Sequence, residues 1–262
     1  MRFFRIFLFL ITVGSVCSAG ELRLIDATGG APMGFLLQSS LALAAEGQMT
    51  VSMRRALPSE ALKLLDNGKV DAVIVDRKFA GKRQSIPLAA EALVLYVSGS
   101  NPVTGLSVQE VKDILYSAVP QWKKYNQMPL DIQRIMMKFS SPSATLIRRI
   151  FGGKELPEGI FQVDSLSSGF SFINLATLFF APFSSQGFSV QVKILPVNGV
   201  EPTTVTVADG RYPLSRQYVM VFRQKTPELQ KLLRETVRPE YRRIISISGL
   251  FSLLPDNFTE GK

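Results

Sequence analysis

From Glu21 to Val75, strand-type and helix-type segments alternate, and this alternation limits the fold more than any other feature of the chain. Leu22-Arg23-Leu24-Ile25 reads as a short strand, followed by a turn from Asp26 to Gly30 that carries two glycines. Ala31 to Glu46 is an Ala- and Leu-rich helix with Pro32 in its first turn, where a missing N–H costs nothing. Met49 to Met53 is a second strand. Pro58 to Asn67 is a helix closed by Gly68, and Val70 to Val75 is a run of the buried-strand type. Two βαβ units in succession imply a parallel sheet, with ligands expected beyond the carboxyl ends of its strands.

Further along, Leu93 to Ser98 is another strand. After a loop from Gly99 to Leu106, Ser107-Val108-Gln109-Glu110 opens a helix with a capping box. Ile132 to Lys138 reads as a strand leading into Ser140-Ser141-Pro142, and the helix that follows runs through Phe151 to Gly152-Gly153. Ser189 to Pro196 and Tyr218 to Arg223 are strands. Thr226-Pro227-Glu228 caps the last long helix, which Pro239 should bend or break.

Met1 to Ala19 has the order of a secretory signal: Arg2 and Arg5, an apolar run from Ile6 to Val13, then small residues ending Cys17-Ser18-Ala19. The run is too short for a bilayer core of about 30 Å. Cleavage after Ala19 would discard Cys17, the chain's one cysteine, so the exported protein could not rest on disulfides. A lipid anchor on Cys17 is the alternative, but Val16 stands where such signals carry a small residue.

Histidine is absent altogether. That removes Ser-His-Asp and Cys-His catalysis and His-ligated zinc, and puts hydrolase readings far behind. The chain shows no Walker motif, no Cys/His metal set and no spaced acidic loop for calcium, so no cofactor or metal is expected. Thirty Lys and Arg against 21 Asp and Glu give a formal charge of +9, which suits anionic ligands or lipid surfaces. The basic residues are scattered and the chain is addressed for export, which argues against nucleic acid. The cluster Phe170, Phe172, Phe179, Phe180 and Phe183 reads as core. Trp122-Lys123-Lys124-Tyr125 reads as a solvated helix end, with a membrane or partner contact as the alternative.

Several segments together resemble the phosphate-binding proteins of ABC transporters. Ile86-Pro87-Leu88-Ala89 followed by Ala92 to Val97 is similar to that family's crossing strand. Asn101-Pro102-Val103-Thr104-Gly105-Leu106-Ser107, with Val111 to Tyr116 and Trp122-Lys123, resembles its next stretch. Val197 to Thr203 and Asp209-Gly210-Arg211-Tyr212-Pro213-Leu214-Ser215-Arg216 look like its return strand, and Gly249 to Pro255 like its closing segment. The resemblance implies an α/β, two-lobed periplasmic-binding-protein-like fold of type II with two crossing hinge strands. It divides the chain into a signal peptide (1–19), one lobe of 20–92 plus 218–262, and a second lobe of 93–217. The hinge strands are expected near Leu93 to Val97 and Tyr218 to Phe222.

The resemblance also brings three anion-binding turns toward the cleft, each a helix N-terminus whose unpaired N–H groups and dipole suit an oxyanion. Thr28-Gly29-Gly30 keeps one hydroxyl of the family's Ser/Thr-rich turn, and is equally readable as a tight strand-to-helix turn. Ser59 is a hydroxyl donor where the family has a Gly-Ser-Gly-rich loop; an ordinary helix start, with Arg54 and Arg55 solvated, explains it as well. Asp76 falls five residues after Asp71, the family's spacing to a carboxylate that accepts a proton from the bound anion. An exposed Asp76-Arg77 turn is its plain alternative. At the third turn, Ser140, Ser141 and Ser143 surround Pro142, where Ser141 could equally be an ordinary N-cap. The family's arginine position falls on Met136, with Arg134 and Lys138 the nearest substitutes, two positions to either side on the same strand face. The implied protein is a periplasmic, monomeric binder of a small oxyanion, most directly phosphate, serving an ABC permease. A family-fold protein that has lost transport and acts as an envelope interaction or sensor module is the second reading.

Overall fold

The computed structural model describes residues 20–31, 33–138, 142–152, 156, 158–183, 191–247 and 249–254. The alternating pattern forms β1 (Gly20–Asp26), α1 (Gly34–Ala45), β2 (Met49–Arg55), α2 (Pro58–Asp66) and β3 (Ala72–Asp76). Helix α3 (Arg77–Ala80) then leads into β4 (Ser85–Ser98), a strand of 14 residues. Next come α4 (Val108–Tyr116), α5 (Lys123–Asn126), β5 (Gln133–Met137), α6 (Pro142–Phe151) and β6 (Phe161–Val163). They are followed by α7 (Leu166–Ser171), β7 (Thr177–Pro182), β8 (Val192–Ile194) and α8 (Thr204–Ala208). The chain ends its described course with β9 (Ser215–Phe222), α9 (Pro227–Thr236), α10 (Pro239–Ile247) and β10 (Phe251–Ser252).

β1 lies between β2 and β3 and is parallel to both, as two βαβ units require. The sheet order is β2-β1-β3-β9-β4-β7-β5-β6, with β8 and β10 paired to β4. β4 belongs to both halves of this sheet. As far as Ala92 it pairs with β9, and from Leu93 it pairs with β7 and β8. The chain returns at Leu214-Ser215, where the Leu93 amide donates to the Leu214 carbonyl at 2.9 Å. This is an α/β fold of two lobes crossed twice by the chain, as expected. The second crossing precedes Tyr218, which sits inside the first half of the sheet opposite Asp76.

Three apolar clusters hold the layers. In β3, Ile74 faces a cluster with Leu22, Leu24, Phe35, Leu36, Leu233 and Ile245, while Val73 and Val75 face another with Ile25, Leu62 and Leu65. The period-2 alternation of a strand covered on both faces explains why β3 carries no polar residue before Asp76. The third cluster fills the other half around Leu93 to Val97, Ile135, Leu146, Ile147, Phe179 and Phe180. Trp122 is completely buried there, its indole N–H donating to the Ala176 carbonyl at 3.0 Å. It is therefore neither a solvated helix end nor a surface contact. Of the phenylalanine cluster, Phe179 and Phe180 are core, Phe170 and Phe183 pack against it, and Phe172 is exposed.

Local signals set the element ends. Ser107 Oγ accepts from Glu110 N at 3.2 Å and Glu110 Oε2 from Ser107 N at 2.7 Å, closing the capping box of α4. Thr226 Oγ1 caps α9 by accepting from Leu229 N, and the helix stops at Thr236, three residues before Pro239 opens α10. Among the described residues no helix is long and apolar enough to cross a membrane. The signal-type segment 1–19 lies outside the described residues.

Candidate functional site

At the carboxyl ends of β1 and β2, the first expected turn is closed on itself. The Thr28 hydroxyl donates to Asp26 Oδ1 at 2.6 Å and accepts from Ala31 N at 3.1 Å. Gly29 and Gly30 take φ values of 73° and 95°, which an L side chain would resist, and so allow the tight entry to α1. Thr28 is thus buried and hydrogen-bonded within its own turn. Ser59 is exposed in the first turn of α2, after Pro58, with Arg54, Arg55 and Leu57 exposed beside it. The Arg55 guanidinium stands 3.6 Å from Asp26.

Asp76 ends β3, almost fully buried. Its Oδ1 accepts from Lys78 N at 3.0 Å, which caps α3, and its Oδ2 accepts from Arg216 Nη1. Register explains the geometry. Asp76 pairs with Tyr218 across β3 and β9, and Glu91 pairs with Arg216 across β9 and β4. Directly opposed residues share a face, as do residues two apart on one strand. Asp76, Tyr218, Arg216 and Glu91 therefore form one cross-strand quartet, and its polar bonds run along both diagonals: Arg216 to Asp76, and the Tyr218 hydroxyl to Glu91 Oε1. Burial and the Glu91 charge push the Tyr218 hydroxyl pKa far upward, which keeps it a donor.

A fifth member arrives from the other half of the fold. Arg149, on α6, reaches Glu91 with Nε at 3.1 Å and Nη2 at 2.6 and 2.7 Å from the two carboxylate oxygens. Beside the quartet lies a cavity of about 490 Å³ lined by Asp76, Arg77, Lys78, Ile150, Arg216 and Gln217, among others. Two guanidinium nitrogens of the cluster, Arg149 Nη1 and Arg216 Nε, are buried without a hydrogen-bond partner among the described residues. Such groups are rare in folded chains, because a buried N–H without an acceptor is costly.

The candidates on β5 go elsewhere. Arg134 is buried with its guanidinium turned to main-chain carbonyls: Leu115 at 2.9 Å, Ser117 at 2.6 Å, and Ile114, Ala118 and Glu158 at 3.4–3.5 Å. It closes the carboxyl end of α4, where the last turn leaves acceptors unpaired. Lys138 is exposed and paired with Asp164. Met136, in the position the resemblance gives to arginine, is core. Ser140 and Ser141 lie outside the described residues; Ser143 is in the first turn of α6.

Of the expected residues, then, Asp76 borders the cavity, Thr28 and Ser59 belong to neighbouring turns on the same sheet edge, and Arg134 and Lys138 are bonded elsewhere. Sequence reasoning missed Glu91, Arg149, Arg216 and Tyr218 as a group. One signal was present: Glu91 is a lone acid inside the apolar run from Leu88 to Val97, and a charge so placed is buried only with a partner.

A model of the PBP superfamily domain matches residues 20–240. No curated protein matches the chain by sequence. Among solved structures, an ABC-type phosphate transport receptor from Vibrio cholerae superposes with a TM-score of 0.59 at 17% identity, covering 89% of this chain and 100% of that one. PstS from Borrelia burgdorferi gives 0.66 at 16% identity, over 89% and 98%. A "possible phosphate binding protein" from Planctomyces limnophilus gives 0.67 at 14% identity, over 92% and 95%. At these identities the likeness is one of fold.

Proposed function

The chain belongs to the PBP superfamily, and on that premise we propose that it is an exported solute-binding protein that captures a small oxyanion, phosphate, for an ABC permease. The observation that carries this reading is the cavity of about 490 Å³ at the carboxyl end of β3. Its walls combine a buried carboxylate, Asp76, and a partly exposed guanidinium, Arg216, with Arg77, Lys78 and Asp209 beside them, while Ile150 enters from α6. A protonated oxyanion has both the charge to meet the arginine and the proton to meet the carboxylate. The expected residues Ser140, Ser141 and Ser143 would add hydroxyl donors, and Ser59 would add one from the opposite lobe.

In this reading, lobes of 20–92 plus 218–262 and of 93–217 hinge about the crossings and close on the anion, because binding favours the closed state when both lobes touch it. β1 begins at Gly20, so cleavage after Ala19 would leave every described element whole. The support for phosphate is the set of similar solved structures described as phosphate receptors. Calorimetry of the exported chain against phosphate, sulfate and organic phosphates tests it. Micromolar or tighter phosphate binding is the expected result, and no heat with any of the three would overturn it.

The second reading, an envelope interaction or sensor module without transport, is favoured by one specific feature. Arg149 and Arg216 already hold carboxylates of this same chain, and Met136 supplies no guanidinium. Failure to bind oxyanions, in a well-folded protein, would select it.

A further inference from the structure

The Arg149–Glu91 pair joins an element of each half of the fold. Glu91 stands one residue before Ala92, where β4 makes its last pairing with β9. Arg149 comes from α6, whose Leu146 and Ile147 are part of the core of the other half. Both side chains are more than nine-tenths buried, 9% and 4% exposed. Glu91 Oε1 receives Arg149 Nε, Arg149 Nη2 and the Tyr218 hydroxyl, and Oε2 receives Arg149 Nη2 again. One carboxylate is therefore saturated with donors in the way a bound oxyanion would be.

The cluster nonetheless has more donors than acceptors. Two guanidiniums offer ten N–H bonds to two carboxylates, and Asp76 also spends an oxygen on Lys78 N. The two buried nitrogens left over, Arg149 Nη1 and Arg216 Nε, sit on residues that flank Glu91: one bonds it and the other faces it across the ladder. What these two nitrogens lack is a further acceptor of small size. Glu91 itself repels an anionic acceptor while neutralising the guanidinium that would hold it.

We propose that Glu91 is a resident counter-anion, whose carboxylate competes with the incoming solute for Arg149 and so sets the affinity of the cleft. The inference rests on the oxyanion-binding reading above, and deepens it by adding Arg149 as the solute's guanidinium in place of the one missing at Met136. Solute entry is an exchange of one carboxylate for one oxyanion at Arg149, not the filling of a free positive site. Affinity is then a difference between two anions at one guanidinium, and removing the competitor's charge raises it.

Calorimetric titration of the exported chain with inorganic phosphate, and separately with sulfate, decides the matter. Glu91→Gln keeps the shape and removes the charge, and should bind phosphate at least tenfold more tightly than wild type. Adding Arg149→Gln to it should abolish that gain. Phosphate binding by Glu91→Gln where wild type shows none would support the proposal as strongly. Wild-type binding with no gain in Glu91→Gln would overturn the proposal and leave the oxyanion reading standing. No binding of phosphate or sulfate by either folded protein would overturn both. Should Glu91→Gln fail to fold, Tyr218→Phe loosens Glu91 by one hydrogen bond; about threefold tighter phosphate binding supports the exchange, and unchanged affinity refutes it.

Discussion

The hydroxyl of Tyr212 donates to the carbonyl of Leu93 at 3.0 Å, at the residue where β4 changes partners between the two halves of the sheet. The Leu93 amide donates to Leu214 at the same place, so both main-chain groups of Leu93 are held by the returning chain. Tyr212 is fully buried, and burial drives its hydroxyl pKa far up, so it stays a donor at any ordinary pH. Tyr212→Phe removes this bond without opening a cavity. We expect it to lower stability by about 0.5–1.5 kcal/mol in urea titrations, with the slope unchanged.

Arg134 is a structural residue by the same kind of argument. Its guanidinium gathers the carbonyls at the end of α4 with that of Glu158. Arg134→Met should cost about 2–4 kcal/mol, since it strands buried acceptors as well as losing charged hydrogen bonds. Arg134→Lys should recover only part, because an ammonium cannot span that set of carbonyls. Calorimetry on folded material should give the same phosphate affinity for Arg134→Met as for wild type.

These two arrangements mark where sequence reading stops. The βαβ units, the capping box at Ser107 and the break at Pro239 were legible because each depends on neighbours within a few residues. Asp76 was singled out only through the resemblance, by the family's spacing from Asp71. The quartet was not, because its bonds join residues far apart: 140 between Asp76 and Arg216, 127 between Glu91 and Tyr218, 58 between Glu91 and Arg149. Strand register creates the first two meetings, and the packing of α6 on β4 creates the third; both are properties of the finished fold. For Arg134 the misreading was of a different sort. Its strand face was read correctly as shared with Met136, but that face is the interior of a sheet covered on both sides.

Glu235 offers a test of burial against charge. It is buried on α9, with Arg238 Nη1 at 3.0 Å from its Oε1. Burial raises its carboxyl pKa; Arg238 opposes the rise, and Glu46 and Glu240 add to it. A raised carboxyl pKa means that the folded state holds a proton the unfolded state has released. Stability therefore falls as pH rises from the unfolded value, about 4.3, through the folded one, and the loss persists above it. Glu235→Gln should raise the melting temperature at pH 7 by roughly 1–3 °C and have little effect at pH 3. Thermal melts at both pH values check the sign.

Asp76 carries the last prediction, which concerns the choice between anions. Its carboxylate meets the cavity with one oxygen on Lys78 N and the other on Arg216, and it can only accept hydrogen bonds. Phosphate at neutral pH keeps a proton to give; sulfate has none. A buried acceptor facing an aprotic anion leaves two lone pairs opposed, and discrimination of that kind is severe. Asp76→Asn places an amide there, which can donate to either anion. The preference of the wild type for phosphate over sulfate should fall at least tenfold in Asp76→Asn, mainly through tighter sulfate binding. The same change leaves Arg216 without its carboxylate, so stability should drop by about 3 kcal/mol, and affinities must be compared well below the melting temperature. An unchanged phosphate-to-sulfate ratio in folded Asp76→Asn would remove Asp76 from the binding site and leave its cap on α3 and its bond to Arg216 as its whole role.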